Sequence, residues 1–512
     1  MTKQEAYSLI KAEPLGHTGY LALGEVLTAS NPKQAYLCYE NALFFCKDPE
    51  EKAKISQKMK TLDPTPKMAI VILSYNNRKL TEDCLNSIRQ HTSEASREII
   101  VIDNASGDDS VEYLRQQPDI ILQANEENAG FPKGCNQGIA LASPDSDILL
   151  LNNDTVVMPN TFFWLRMGLY ERETIGSAGS VANSAYFQWA GENRKDMAYY
   201  QDFAIKNNVP MERPIENRVT IIGFCMLLKR SVLEKIGYLD EQFSPGNGED
   251  HDLCMRILLG GFENVLVHNS YLVHRDHASF GILKGYSSLM LQNREKLFQK
   301  YGFHVDSLYL GTSEMSVSDR LPPDPKDVLE INCGLGATLF AFQYQNPNAR
   351  YVGIDRHAPT TLFRTQCKNA ELYNYLDISF WPLDDRKFDV IYLDTNTIEK
   401  RELESFIRMM AKHLKPTGKM VFLVENPFYY TNWIDFLLGG TGVQPGNRET
   451  VILKDIENLL PQFGCHPECW IFHSAPGYDG DRKDAIDRIL DALPQDRKQA
   501  ATVKKYSLIA SF

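Results

Sequence analysis

The stretch Leu149-Leu150-Leu151-Asn152-Asn153-Asp154-Thr155 constrains this chain more than any other. An uninterrupted apolar run suits a strand buried on both faces of a parallel sheet, and its abrupt stop at oxygen-bearing side chains marks that strand's carboxyl end. Open α/β sheets place their ligands at this edge. Asp154 is then a carboxylate held at a site, suited to a hard divalent cation whose other partners are phosphate oxygens. The same residues also suit an Asx turn after an ordinary strand. The flanking sequence decides between the two.

At 512 residues the chain has room for about three domains of roughly 150 residues each. Its hydrophobic content of 43% and charged content of 23% are those of a soluble globular protein. A net charge of −12 argues against nucleic acid or an anionic membrane as main partner, since both reward clustered Lys and Arg. The opening Met-Thr-Lys-Gln-Glu-Ala lacks a basic leader with an apolar core, and no run approaches the roughly 18 apolar residues of a membrane span. No integral membrane segment and a cytoplasmic location are expected. The 10 cysteines include no C-x-x-C pair and read as reduced, mostly core thiols.

Residues 1–62 read as helical, with Tyr20, Leu23, Gly24 and Leu27 on one face and Ala35, Tyr39, Ala42 and Phe45 on the next. They resemble a single tetratricopeptide-type helix pair, and a plain hairpin acting as a cap fits equally well. One such pair cannot bury its own face, so packing on the next domain or on a partner is expected. Asp63-Pro64-Thr65-Pro66 is a linker. A strand over 68–73 ends in Ser74-Tyr75-Asn76-Asn77, and a helix follows over 80–88. Another strand, 99–102, ends in Asp103-Asn104-Ala105-Ser106-Gly107, which delivers an Asp into a polar loop as nucleotide folds do at a ribose. Ser110 would cap a helix opening at Val111. Gly130, Gly134 and Gly138 lie in Asn128-Ala129-Gly130-Phe131-Pro132-Lys133-Gly134-Cys135-Asn136-Gln137-Gly138, where they let backbone approach a ligand closely and open a helix facing it.

Taken in order, these elements resemble family 2 glycosyltransferases of the GT-A fold, in the rhamnosyltransferase-like branch, over about residues 68–300. The distal half of the pattern is present as well. Gly223 to Arg230 matches the acceptor-side strand, Gly248-Glu249-Asp250-His251-Asp252-Leu253 the Glu-Asp-x-Asp-Leu helix start, and residues 267–274 the strand carrying a metal-binding histidine. The resemblance implies inverting transfer from a nucleotide-sugar donor, a UDP- or dTDP-sugar. It makes Asp154 the aspartate of the DxD-type motif, here Asn152-Asn153-Asp154, with His274 as second ligand of a weakly held Mg²⁺ or Mn²⁺. His274, beside His268 and His277, fits a structural role too. Asp250, with Glu249, becomes the base that takes the acceptor proton, in a first helical turn whose dipole favours the ionised form; merely capping that helix is the plainer role. Asp103, Ser74, Tyr75 and Asn77 would line the nucleoside pocket, and Asn128, Gly130, Asn136 and Asn153 would frame diphosphate and sugar.

A second Pro-rich boundary, Asp319 to Pro325, precedes a strand, glycine turn and helix start at Asp327 to Leu339. About twenty residues on, Tyr351-Val352-Gly353-Ile354-Asp355 is a strand ending in the acid that holds a ribose diol in Rossmann-like folds. Strands at 388–394 and within His413 to Leu423, the latter after a helix end and a turn, complete a resemblance to class I methyltransferases over residues 325–512. It implies S-adenosylmethionine as cofactor, with Glu330, Gly334, Gly336 and Asp355 shaping its pocket. Asn332 replaces the first glycine of the family's E-x-G-x-G-x-G.

The expected architecture is thus α/β: a helical segment (1–62), a GT-A domain (66–310) and a methyltransferase-like Rossmann domain (325–512). The leading function is a bifunctional carbohydrate enzyme that adds a sugar to a glycan, lipid-linked glycan or protein acceptor and O-methylates a sugar, in surface polysaccharide or protein glycosylation. A glycosyltransferase flanked by non-catalytic binding modules is the alternative. A lectin-like scaffold fits a chain with both Asp154 and Asp250 poorly.

Overall fold

The computed structural model describes residues 1–190, 196–275, 286–302, 321–322, 324–356, 370–426, 451–474 and 503–512. His277 and the linker residues Asp319, Arg320 and Pro323 lie outside them. The chain divides into two compact units, Met1–Leu308 and Tyr309–Phe512.

The first unit opens with helices α1 (Lys3–Ala12), α2 (Thr18–Leu27), α3 (Pro32–Phe45) and α4 (Pro49–Met59). It continues with β1 (Met68–Ser74), α5 (Arg78–His91), β2 (Arg97–Asp103), α6 (Ser110–Arg115), β3 (Ile120–Ala124), α7 (Phe131–Leu141) and β4 (Asp147–Asn152). Then come β5 (Thr155–Val156), α8 (Thr161–Leu169), β6 (Ile175–Ala182), α9 (Met197–Asn207), β7 (Ile215–Arg218), β8 (Cys225–Leu228), α10 (Arg230–Ile236), α11 (Glu249–Leu259), β9 (Glu263–His274) and α12 (Tyr286–Tyr301).

Helices α3 and α4 each start with Pro at the first position behind an Asn31 or Asp48 cap, the arrangement that satisfies early N–H groups where proline has none to offer. The four helices close their apolar face on α8, whose residues are all buried. Tyr20 meets Phe163 edge-on at 5.0 Å, Gln34 Nε2 donates to the Met167 carbonyl at 2.7 Å, and Glu40 pairs with Arg166.

Nine strands form one sheet in the order β3-β2-β1-β4-β8-β6-β9-β5, with β7 on the other side of β9. The first four are parallel, and β8 runs antiparallel to β4. Ser74 pairs with Asp103 and Leu73 with Asn152, so β1, β2 and β4 finish level. The strand order reverses between β1 and β4, which opens a crevice at their carboxyl ends. β4 is covered on both faces, which accounts for its unbroken leucines.

Two local expectations need correction. Helix α6 starts at Ser110 rather than after it: Asp109 is its cap residue, and the Asp108 carboxylate accepts the Ser110 N–H at 3.0 Å. Gly134 and Gly138 face β1, not a ligand; a Cβ on them would lie 2.9 Å from Leu73 Cδ2 and 2.3 Å from Val71 Cγ1.

The second unit contains β10 (Asp327–Ile331), α13 (Ala337–Gln345), β11 (Arg350–Asp355), β12 (Ala370–Asn374), β13 (Phe388–Asp394), α14 (Leu403–His413), β14 (Leu414–Glu425), β15 (His466–Ser474) and β16 (Val503–Ser511). The order β12-β11-β10-β13-β14-β16-β15 is a doubly wound sheet whose strand β16 is inserted antiparallel between β14 and β15. β14 begins directly after α14, with no separate turn.

Candidate active site

The turn after β4 folds back at once into β5, where Thr155 pairs with His274 at the end of β9. This pairing brings His274 Nε2 to 3.3 Å from Asp154 Oδ1. The other ring nitrogen, Nδ1, lies 2.7 Å from the Ser184 carbonyl. A carbonyl only accepts, so Nδ1 carries a hydrogen; in the neutral ring the Nε2 lone pair then faces Asp154, as it does when a histidine ligates a metal while its other nitrogen holds a carbonyl. Asp154 Oδ1 is buried without a hydrogen-bond partner. Two acceptors facing each other need a cation or a proton between them, and a carboxylate with an imidazole suits a divalent cation. His268 is engaged elsewhere, 2.7 Å from Glu216.

Helix α11 supplies the other side of the crevice. Its first turn holds three acids with three different environments. Asp252 is fully buried and takes Arg256 at 2.8 Å, Lys300 at 2.6 Å and the Tyr301 hydroxyl at 2.6 Å, so it fastens α11 to α12. Glu249 is buried with Oε2 unpartnered, and burial together with the nearby Asp250 raises its carboxyl pKa. The Asp250 side chain remains 15% exposed; Oδ2 accepts the Gly223 N–H at 3.2 Å and Oδ1 the His251 N–H at 2.8 Å.

The dipeptide Gly223-Phe224, just before β8, connects these two sides. Gly223 holds Asp250, the Phe224 carbonyl accepts the Asn152 N–H at 2.9 Å, and the Phe224 ring stacks on His274 at 4.9 Å. Gln188 steadies the dipeptide by accepting the Ile222 N–H at 2.5 Å. Sequence reasoning assigned no role to Ser184, Phe224 or Gln188. Ser184 acts through a carbonyl that any residue supplies, so no side-chain signal pointed to it.

Other candidate residues fall around the same crevice in distinct roles. Tyr75 is 39% exposed on the rim after β1. Asn76 and Asn77 adopt left-handed backbone, φ 55° and 56°, which asparagine tolerates. Asp103 is buried and oriented by the Ser106 N–H at 2.9 Å and hydroxyl at 2.7 Å. Ser74 Oγ and Asn153 Nδ2 meet at the Thr81 hydroxyl, 3.3 and 3.0 Å away, in a buried chain behind the site. Asn128 accepts the Gly130 N–H at 2.9 Å, and Gly130, at φ 80°, lies against Ser244 and Pro245. Both ends of the Asn136 amide bind the segment after α10, at Leu239 and Glu241.

In the second unit, Asp355 at the end of β11 accepts the Gly334 N–H at 2.8 Å. Glu330, one strand over, is buried. Asn332, Gly334 and Gly336 have φ of 53°, 55° and 80°, so the loop keeps a glycine-type path although its first member carries a side chain. That side chain is held by protein: Nδ2 donates to Thr397 Oγ1 at 3.0 Å and Oδ1 accepts the Tyr375 hydroxyl at 2.6 Å. An acid facing a left-handed turn at the carboxyl edge fits a ribose-bearing cofactor.

Residues 69–237 match the glycosyl transferase family 2 and residues 328–418 a methyltransferase domain family. The chain thus carries one region similar to each of two transferase families. The chain is 23% identical over 247 residues to an uncharacterized protein of Sinorhizobium fredii, covering 43% of this chain and 26% of that one. The O-antigen biosynthesis protein RfbC of Myxococcus xanthus is 23% identical over 228 residues, covering 42% and 18%. The cypemycin N-terminal methyltransferase of a Streptomyces species is 31% identical over 111 residues, covering 20% and 43%. The chain thus spans less than half the length of each of these relatives. Among solved structures, it is similar to a mannosyltransferase of Pyrobaculum calidifontis in complex with GDP-Man and Mn²⁺, at 16% identity over 55% of this chain and 76% of that one, TM-score 0.34. It is also similar to GalNAc-T7 with UDP, GalNAc and Mn²⁺, at 14% identity over 59% and 56%, TM-score 0.39. No helix among the described residues is long and apolar enough to cross a membrane.

Proposed function

We propose that the first unit transfers a sugar from a UDP- or dTDP-sugar to an acceptor hydroxyl by metal-dependent single displacement, with inversion. The observation that supports this reading is the Gly223-Phe224 dipeptide, in which the Gly223 N–H holds Asp250 and the next residue's ring stacks on His274, the neighbour of Asp154. Asp154 and His274 hold Mg²⁺ or Mn²⁺. A cation there neutralises the charge that builds on the departing diphosphate. Asp250, the more exposed acid of its turn, takes the acceptor proton, while the Gly223 N–H keeps its carboxylate aimed. Asp103, Ser74, Tyr75 and Asn77 form the nucleoside side, and Asn128, Gly130, Asn136 and Asn153 hold the loops around diphosphate and sugar.

The first test is hydrolysis of a panel of nucleotide sugars by the full chain with Mn²⁺ and with EDTA. Turnover of one donor that needs the metal and disappears in Asp154→Ala is expected; equal turnover in EDTA overturns the cation role. Asp250→Asn should lower transfer about 100- to 10,000-fold, the usual worth of a positioned base, with donor binding by calorimetry unchanged. Loss of donor affinity would remove Asp250 from that role.

The second unit binds S-adenosylmethionine through Glu330, the Gly334–Gly336 turn and Asp355, and methylates a sugar hydroxyl on the same product. The cofactor supplies an electrophilic methyl group; Asp355 orients its ribose and the turn lets it approach the backbone. The acceptor is a glycan, lipid-linked glycan or protein handled in the cytoplasm, and the O-antigen relative supports surface polysaccharide. One observation favours a second reading, a non-catalytic module: the Asn332 amide is already closed on Thr397 and Tyr375. Calorimetric titration with S-adenosylmethionine separates the two, since only the first requires binding.

A further inference from the structure

We infer that the N-terminal helices carry a Zn²⁺ site made by His17, Cys46 and Glu51, separate from the transferase crevice. Among the described residues, one ligand atom from each of these three lies within 4.8 Å of the other two. They come from three different places: His17 precedes α2, Cys46 follows α3, and Glu51 is in the first turn of α4. His17 Nε2 is 3.1 Å from Glu51 Oε2, at the surface, with the side chains 25% and 42% exposed. Cys46 closes the site from beneath, only 2% exposed.

An ion pair accounts for His17 and Glu51, and the buried Cys46 thiol donates a weak hydrogen bond to the Asp48 carbonyl at 3.5 Å, but neither contact accounts for all three groups converging. A thiol, an imidazole and a carboxylate converging from three chain segments form the mixed S/N/O set that zinc takes, whereas the Asp154–His274 pair offers one carboxylate and one imidazole and no sulfur. On binding, the Cys46 S–H proton leaves to solvent as the sulfur–zinc bond forms. His17 Nε2 gives its lone pair, Glu51 one carboxylate oxygen, and water the fourth position. The consequence is mechanical. The four helices are only 10, 10, 14 and 11 residues long, too short to persist alone, and a metal across α2, α3 and α4 fastens their ends to one another.

The test adds Co²⁺, a zinc surrogate, to the full-length chain stripped with chelator. A thiolate-to-cobalt charge-transfer band in the near ultraviolet reports a cysteine ligand, which the Asp154–His274 pair cannot provide. The expected result is a band in the parent chain and in Asp154→Ala, displaced by one equivalent of Zn²⁺ and absent from His17→Ala and Cys46→Ser. Nucleotide-sugar hydrolysis should be the same in His17→Ala as in the parent. Because Cys46 is buried, Cys46→Ser can fail to fold; His17→Ala, at the surface, then decides alone. No band in the folded parent chain, or a band that survives in His17→Ala, overturns the proposal.

Discussion

Within one turn of α11, three acids at most three positions apart are driven to different chemistry by their surroundings. Asp252 meets two cations and a phenol and stays structural, Asp250 keeps some exposure, and Glu249 is buried beside Asp250 with no cation paired to it among the described residues. For Glu249 this has a pH signature. Below the ordinary carboxylate pKa of about 4.3 the group is neutral in folded and unfolded chains alike. Above it, the unfolded chain releases the proton and the folded chain keeps it, so stability falls until the pH has passed the raised folded value. Melting of the parent chain should therefore drop relative to Glu249→Gln as the pH is raised from 5 toward and beyond neutrality, with the gap closing at acid pH. A constant gap would mean that Glu249 is not held neutral. The Glu-Asp-x-Asp pattern made the turn legible in the sequence. The resemblance singled out Asp250 as the base, but the partners of Asp252 were not legible, because Arg256 shares the helix while Lys300 and Tyr301 come from the distant α12, and only folding sets them around it.

Elements with a strong side-chain pattern were readable, and those that work through backbone were not. The apolar β4 with its terminal Asp154, and the parallel β1, β2 and β4 around it, announced themselves because burial on two faces leaves no polar positions. The segment from Asn183 to Arg218 had no interpretable pattern, yet it holds His274 through the Ser184 carbonyl and the Asn183 amide oxygen. The glycines of α7 show the converse: the sequence revealed that something comes close to them, not that it is β1. Gly138 is the sharper case, since a methyl group there meets Val71 Cγ1 at 2.3 Å. Gly138→Ala should cost about 1–3 kcal/mol in chemical denaturation, as overpacked cores do. It should also weaken donor binding, because α7 carries Gly130 and Asn136 to the crevice. Adding Val71→Ala should restore part of the stability, and a neutral Gly138→Ala would show that α7 shifts freely on β1.

At the scale of the whole chain, two doubly wound sheets each bring an acid to the carboxyl edge of central strands, Asp154 in one and Asp355 in the other. Each acid is built into its own compact unit: Asp154 by the β5–β9 pairing within Met1–Leu308, Asp355 by the Gly334 turn within Tyr309–Phe512. Among the described residues, the partners named for each acid lie in that acid's own unit. Changing one acid should consequently silence one chemistry and spare the other. Asp355→Ala is expected to abolish calorimetrically detected S-adenosylmethionine binding while metal-dependent nucleotide-sugar hydrolysis keeps its parent rate, and Asp154→Ala should do the reverse. The Asn332 side chain bears on the same titration, since its amide is already spent on Thr397 and Tyr375, which leaves Glu330, the loop backbone and Asp355 as the proposed grip on the cofactor. Removing Asp355 takes away the carboxylate assigned to the ribose, and binding should fall with it. If Asp355→Ala bound S-adenosylmethionine as well as the parent chain, the ribose would not sit at β11; if it lowered sugar-nucleotide turnover as well, the two units would be energetically coupled despite their separate networks.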